Sequence, residues 1–218
     1  MTTYTTDDQF PEGGNFKIGD ICESTNSSSP VSAWVYTERG WVANGAPVWD
    51  DLRFPAQGIN PAGQTDAPSI DTTTFPGTLL FSASVVNLIA GVAQMPHAWS
   101  RGTAIHPHVH WAKSTSAAGG VVWEWCYSIA DIGGTFGAYS AWTAATAVVS
   151  DSNTASKQAL AAFPLLDMTG YKESTMIAWQ LRRNVDATAD TYAAVARFFE
   201  FDFHYQSNKL GTVQELPV

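Results

Sequence analysis

Val121-Val-Trp-Glu-Trp-Cys-Tyr-Ser-Ile129 decides the fold class. Trp123, Trp125, Tyr127 and Ile129 fall on one side of an extended chain, and Glu124, Cys126 and Ser128 on the other. That period of two belongs to a strand, because a helix would scatter the same residues around its axis. The period recurs in both directions. Toward the C-terminus it returns in Thr175-Met-Ile-Ala-Trp-Gln-Leu181 and in Ala194–Tyr205. Within Phe199-Glu-Phe-Asp-Phe-His-Tyr205 it puts Phe199, Phe201, Phe203 and Tyr205 on one face and Glu200, Asp202 and His204 on the other. Toward the N-terminus, Thr103–Trp111 alternates and Leu79-Leu-Phe81 leads into Val85–Met95. Thr143–Val149 is short and β-branched, and Lys157–Leu166 is Ala-rich but interrupted by Pro164. Gly119-Gly120 and Gly133-Gly134 mark turns. No capped amphipathic helix is visible. About seven to nine strands over residues 79–218 predict an all-β antiparallel β-sandwich, jelly-roll-like in topology.

The first part of the chain differs. Residues 1–45 are polar and turn-rich, and Ala33-Trp-Val-Tyr36 and Gly40-Trp-Val42 flank a turn. They predict an extended N-terminal arm ending in a small β-hairpin, which buries too little to stand alone and serves attachment or oligomer contacts. Residues 46–78 carry Pro47, Pro55, Gly58, Pro61, Gly63, Pro68, Pro76 and Gly77, and predict a long ordered loop. Trp34, Trp41, Trp49, Phe54 and Trp99 lie near turns or in the arm, with no evident sheet to cover them. They are the expected interface residues, because aromatic side chains are enriched at interfaces.

Eleven Lys and Arg stand against twenty Asp and Glu, a formal net charge of −9. That balance argues against nucleic acid or an anionic membrane surface as partner, since both attract clustered basic residues. No apolar run approaches the roughly 18 residues of a membrane span, and the sequence opens without the basic and apolar regions of a signal peptide. Cys22 and Cys126 are too far apart in sequence for a metal spacing and are expected as free buried thiols. Nine tryptophans with only 14% charged residues leave a monomer short of solvating surface, which favours a closed symmetric assembly, here expected to be a homotrimer.

Ile105-His-Pro-His-Val-His-Trp111 is the strongest chemical signal. On a strand, His106, His108 and His110 share a face, and His204 joins them if the two strands are neighbours. Neutral imidazole is the commonest metal ligand, so His106, His108, His110 and His204 form a candidate site for Zn, Fe or Ni, with Glu124 a further contributor. The alternative, a polar sheet face with no cofactor, is the expected state. A cupin-like metal-binding enzyme is the third functional reading, but Gly102 lies too close to the histidines and the next glutamate is only Glu124. Asp50 and Asp51 are adjacent and point opposite ways, unsuited to a glycosidase pair; one is expected to cap a turn and the other to pair with Arg53. No Gly-x-Ser-x-Gly, phosphate loop or His-Glu-x-x-His is present, so no catalytic residue is assigned.

Four strings carry a family resemblance: Val48-Trp-Asp-Asp-Leu-Arg-Phe-Pro-Ala-Gln-Gly-Ile-Asn-Pro61, Gly91-Val-Ala-Gln-Met-Pro-His-Ala-Trp99, Ile105–Trp111 and Phe199–Tyr205. Across residues 46–210 the chain resembles a structural protein family encoded among the virion genes of tailed bacteriophages. The resemblance implies a non-enzymatic virion component, synthesised in the host cytoplasm and placed on the capsid as decoration or head spike, or in the tail or its fibres. Its partners would be its own copies and other virion proteins. The alternative is a carbohydrate-binding adhesin on the same particle, contacting a host surface glycan.

Overall fold

The computed structural model describes residues 3–6, 15–24, 33–37, 40–44, 48–59, 66–145 and 154–207. Among them the chain forms strands β1 (Thr3–Thr6), β2 (Ile21–Ser24), β3 (Ala33–Thr37), β4 (Gly40–Asn44), β5 (Val48–Pro55), β6 (Ser69–Ile70), β7 (Leu79–Phe81), β8 (Leu88–Gln94), β9 (His106–Lys113), β10 (Trp123–Ala130), β11 (Thr143–Ala144), β12 (Gln158–Ala162), β13 (Met176–Arg183) and β14 (Ala196–Ser207). The only helical piece among them is a single 3-10 turn, Ala56–Gly58.

Two antiparallel sheets make the body. One has the order β11-β10-β13-β8; the other runs β12-β9-β14-β7-β6, with β5 also pairing β14. From β7 to β14 the chain wraps so that the orders β8-β13-β10-β11 and β7-β14-β9-β12 face each other, which is the eight-stranded jelly roll. The all-β sandwich read from the period-two pattern is therefore the fold.

Twelve-residue β14 organises the second sheet. It pairs β9 along one side, and β7 followed by β5 along the other. Its register slips between Phe198 and Glu200, a β-bulge that reverses the face taken by the residues around it. As a result Phe198, Phe201, Phe203 and Tyr205 turn inward, while Phe199 meets Phe75 edge-on at 5.7 Å. The strict alternation expected from Phe199 to Tyr205 fails at its first residue for this reason.

Between the sheets lies a stack of rings. Phe201 contacts Trp179 (4.9 Å between centroids), Trp125 (5.8 Å) and Phe163 (6.1 Å); at one end Phe81 meets Trp123 at 4.8 Å. Aromatic pairs at these separations contribute about 0.5–1.5 kcal/mol each beyond the area they bury. Arg183 ends β13 inside this core with no exposed surface. Its guanidinium is saturated: Asp190 accepts two bonds (2.9 and 2.7 Å), and the backbone oxygens of Ser82 (3.1 Å), Ala194 (2.8 Å) and Tyr192 take the rest. A buried charge persists only with such complete pairing.

The N-terminal strands form a separate four-stranded sheet, β1-β2-β3-β4, in which β1 and β2 run parallel. The expected hairpin is β3 and β4, joined to two further strands. The loop expected over 46–78 gives way at its start, because Val48–Pro55 is a strand. Its alternation is clear once the partner is known: Leu52 and Phe54 face the core, and Trp49, Asp51 and Arg53 face out. Prolines at 47, 55 and 61 lie outside it or at its end, where an edge strand tolerates them. The part of Thr143–Val149 beyond Ala145 lies outside the described residues. Cys22 and Cys126 are free and buried.

Gly91 on β8 sits opposite Trp179 on β13, and any Cβ there would overlap the indole ring. Gly91→Ala should therefore destabilise the sandwich by about 1–3 kcal/mol, read as a lower urea midpoint at unchanged m-value.

Candidate functional site

The outer face of the second sheet carries the histidines. β9 presents His106, His108 and His110; β14, beyond its bulge, presents Glu200, Asp202 and His204; β5 presents Trp49, Asp51 and Arg53. Antiparallel register sets Asp202 directly across from His108, and His204 across from His106. Asp51 lies across from His204 on the other flank of β14. Cross-strand neighbours of this kind stand about 4.5–5.5 Å apart at Cβ, close enough for polar heads to meet.

Asp202 is the hub. It is 3% exposed, and His108 beside it is 1% exposed. His108 Nε2 approaches Asp202 Oδ1 to 2.8 Å, and His110 Nε2 approaches Oδ2 at 3.4 Å. The His108 ring meets His204 edge-on at 4.1 Å, and His204 Nε2 lies 2.9 Å from Asp51 Oδ1. Glu200 is engaged elsewhere, accepting two bonds from Arg53 at 2.5 and 2.7 Å. Asp51, Arg53, His110, Gln158, Phe199, Glu200 and Asp202 line a surface cleft of about 320 Å³.

The electrostatics follow the geometry. Burial works against the charge on Asp202, but the His108 and His110 imidazoles beside it hold its pKa below the usual carboxylate range. Burial likewise lowers His108, yet Asp202 outweighs it and the net shift is upward. His204 moves down, through burial and then through repulsion from His108. At the rim, burial and then the Asp50 carboxylate, which accepts the Tyr205 hydroxyl at 3.1 Å, push the phenol up to about 12.

Several residues fall where the sequence did not put them. His108, His110 and Asp202 bring one ligand atom each within 4.8 Å of the others, and Asp51, Asp202 and His204 do the same; His106 belongs to neither group. Glu124 is on the opposite sheet, bound to Arg182 and Asn184. Asp51 pairs His204, not Arg53, and Asp50 accepts from Tyr205 and from the Asp51 N–H. Asp51 is the member of these groups that the sequence did not place with the histidines, whereas Asp202 alternates with His204 and shares its face.

The expected interface aromatics divide. Phe54 is covered within the chain by Trp179 (5.3 Å) and Phe203 (5.4 Å) because β5 is a strand that packs on the core. Trp99 is 1% exposed and its Nε1 donates to Thr103 Oγ1 at 3.0 Å. Both are core residues of a single chain. Trp34 is buried and pairs in register with Cys22 on β2. The Trp41 side chain lies outside the described residues. Trp49 is 59% exposed.

No family model and no curated protein matches the chain. Solved structures similar to it include dimeric latent PorU from Porphyromonas gingivalis, at 13% identity over 74% of this chain and 13% of that one, with a TM-score of 0.34. Infectious bursal disease virus, Gx strain, shows 9% identity over 95% of this chain and 41% of that one, TM-score 0.36. TmCBM61 in complex with β-1,4-galactotriose shows 8% over 75% and 91%, TM-score 0.30. The chain thus spans less than half of the first two. The fold assignment rests on the strand order and not on these likenesses.

The signs of the two shifts set a pH window for the Asp202–His108 pair in chelator-treated protein. A depressed Asp202 stabilises above the ordinary carboxylate pKa of about 3.9, and this is lost as pH falls through its folded value; a raised His108 stabilises below about 6.5, and this is lost as pH rises through its folded value. The melting-temperature difference between wild type and His108→Gln should therefore peak between about pH 4 and 6.5 and shrink on either side.

Proposed function

We propose that this protein is a non-enzymatic structural component of a tailed-bacteriophage virion, a capsid decoration, head spike or tail and fibre protein that works through protein–protein contacts. The observation that carries the reading is the division of strand pairing. Among the described residues, β1 to β4 pair as strands only with one another, while the jelly roll completes both of its sheets without them. Its four strands are only four or five residues long, short for a sheet that stands by itself. Such a sheet suits a role in gripping a neighbouring subunit. The jelly roll supports the reading by analogy, since it recurs in viral capsid and lectin domains. The sequence resemblance and the low charge content support it independently.

In this account the protein assembles as a homotrimer, is made in the host cytoplasm and resides in the virion, with other virion proteins as partners and neither nucleic acid nor membrane. One observation favours the adhesin as second reading: Trp49 stands exposed beside the His204 ring, at 6.5 Å, on a face with carboxylates and imidazoles. A flat indole edged by polar groups is the surface on which a sugar ring stacks. Glycan-array binding abolished by Trp49→Ala would favour that reading over the structural one.

Deleting residues 1–45 should leave a folded sandwich that no longer enters particles; normal incorporation of the truncated chain contradicts the attachment role. Light scattering should give the intact protein about 70 kDa, three chains of 23.5 kDa, and a stable monomer at micromolar concentration would refute the trimer.

A further inference from the structure

His108 Nδ1 lies 3.2 Å from the backbone oxygen of His106. A carbonyl oxygen only accepts, so Nδ1 carries the proton of that contact. In the neutral ring Nε2 then presents a lone pair, with Asp202 Oδ1 only 2.8 Å away. The two atoms are out of hydrogen-bond alignment, and each is buried with no other hydrogen-bond partner. A lone pair set against a carboxylate oxygen in a buried site is repulsive unless a cation joins them.

The neighbouring side chains do not supply that cation. Arg53, on the wall of the cleft, is held bidentate by Glu200. His204 Nε2 is turned to Asp51 Oδ1 at 2.9 Å. With Arg53 and Glu200 cancelling, the Asp202 carboxylate is the buried charge left to balance. What remains is a second proton on His108 or an ion from solution.

The donor set fits an ion. Two imidazoles and a carboxylate, one ligand atom each within 4.8 Å, come close to the spread that bonds of about 2.0–2.2 Å impose around one centre. Nitrogen and carboxylate together suit Zn²⁺ and its neighbours Fe²⁺ and Ni²⁺ better than the all-oxygen shells of Ca²⁺ or Mg²⁺. The outer groups are in place as well. His108 Nδ1 is fixed by the His106 carbonyl, and His110 Nδ1 lies 2.7 Å from the Gln158 amide, which carries both a donor and an acceptor and so serves either tautomer. The cleft lined by His110 and Asp202 provides an entry path.

We infer that the outer face of β9 and β14 is a divalent transition-metal site of the Zn²⁺ type, with His108 Nε2, His110 Nε2 and the Asp202 carboxylate as ligands. The ion clamps β9 to β14 across the middle of the sheet, a role separate from attachment to a particle. The test is calorimetric titration of the chelator-treated full chain with Zn²⁺, with elemental analysis of the product. One ion per chain is expected. His110→Gln, on the exposed side of the cluster, should weaken binding more than about tenfold, while His106→Gln should leave it unchanged. Circular dichroism confirms that each variant is folded, and Asp202→Asn serves as a second probe. Absence of Zn²⁺ uptake by folded wild type overturns the assignment, as does uptake that His110→Gln and Asp202→Asn leave unaltered.

Discussion

Burying the Asp202 carboxylate is the constraint around which the second sheet is arranged. Taking an ion out of water costs several kcal/mol even after relaxation, and it holds only where opposite charge and hydrogen-bonding groups converge on it. Asp202 is nearly inaccessible because β14 is an interior strand, flanked by β9 and β5. The same placement makes β14 the spine of the aromatic core. One face of the strand therefore gathers Phe201 and Phe203 against Trp125 and Trp179, and the other must neutralise Asp202 with whatever β9 and β5 offer across the register. His108 and His110 come from β9; Asp51 and Arg53 come from β5 and engage the groups on either side. A one-residue slip of β9 would exchange Val109 for His108 and place an apolar side chain against the carboxylate, so the polar cluster also fixes the register of the sheet.

The bulge at Phe199 has the same logic. Ahead of it, Phe198 faces the core near Phe81 and Trp123, and beyond it Phe201 does so near Trp179. Strict alternation would place either Phe198 or Phe201 outward. The extra residue lets both segments of the strand point their rings inward and delivers Glu200, Asp202 and His204 to one side. Bulges are frequent beside functional groups, where they re-aim side chains.

Much of this was legible in the sequence, and the limits have physical causes. Period-two alternation in Val121–Ile129 and Thr175–Leu181 reflects local geometry, so it identified β10 and β13 and the sandwich as a whole. The clustering of His106, His108, His110 with Asp202 and His204 was legible as a conditional, because same-face placement is local but strand adjacency is not. Asp51 is not placed with the histidines by the sequence because its strand is edged by prolines and its partner strand lies at the far end of the chain. Phe54 and Trp99 were assigned to an interface for the same reason: the sheets that cover them are formed by residues distant in sequence. Arg183, at the end of an alternating run, gave no local sign that Asp190 and three backbone carbonyls would receive it.

The jelly roll separates tasks. Its interior is filled with rings and the Arg183 network, which fix the scaffold; the outer face of β5, β9 and β14 holds titratable groups; the N-terminal sheet supplies a second set of strands. Among the described residues, the histidine–aspartate groups thus lie on a surface that the core does not need for packing, and the buried Asp202 carboxylate joins that surface to the fold. A double-mutant cycle on His108→Gln and Asp202→Asn, followed by urea unfolding of the chelator-treated protein, measures that coupling directly. The account predicts an interaction of at least about 1 kcal/mol between the two sites; single-mutant effects that add within about 0.3–0.5 kcal/mol would contradict it.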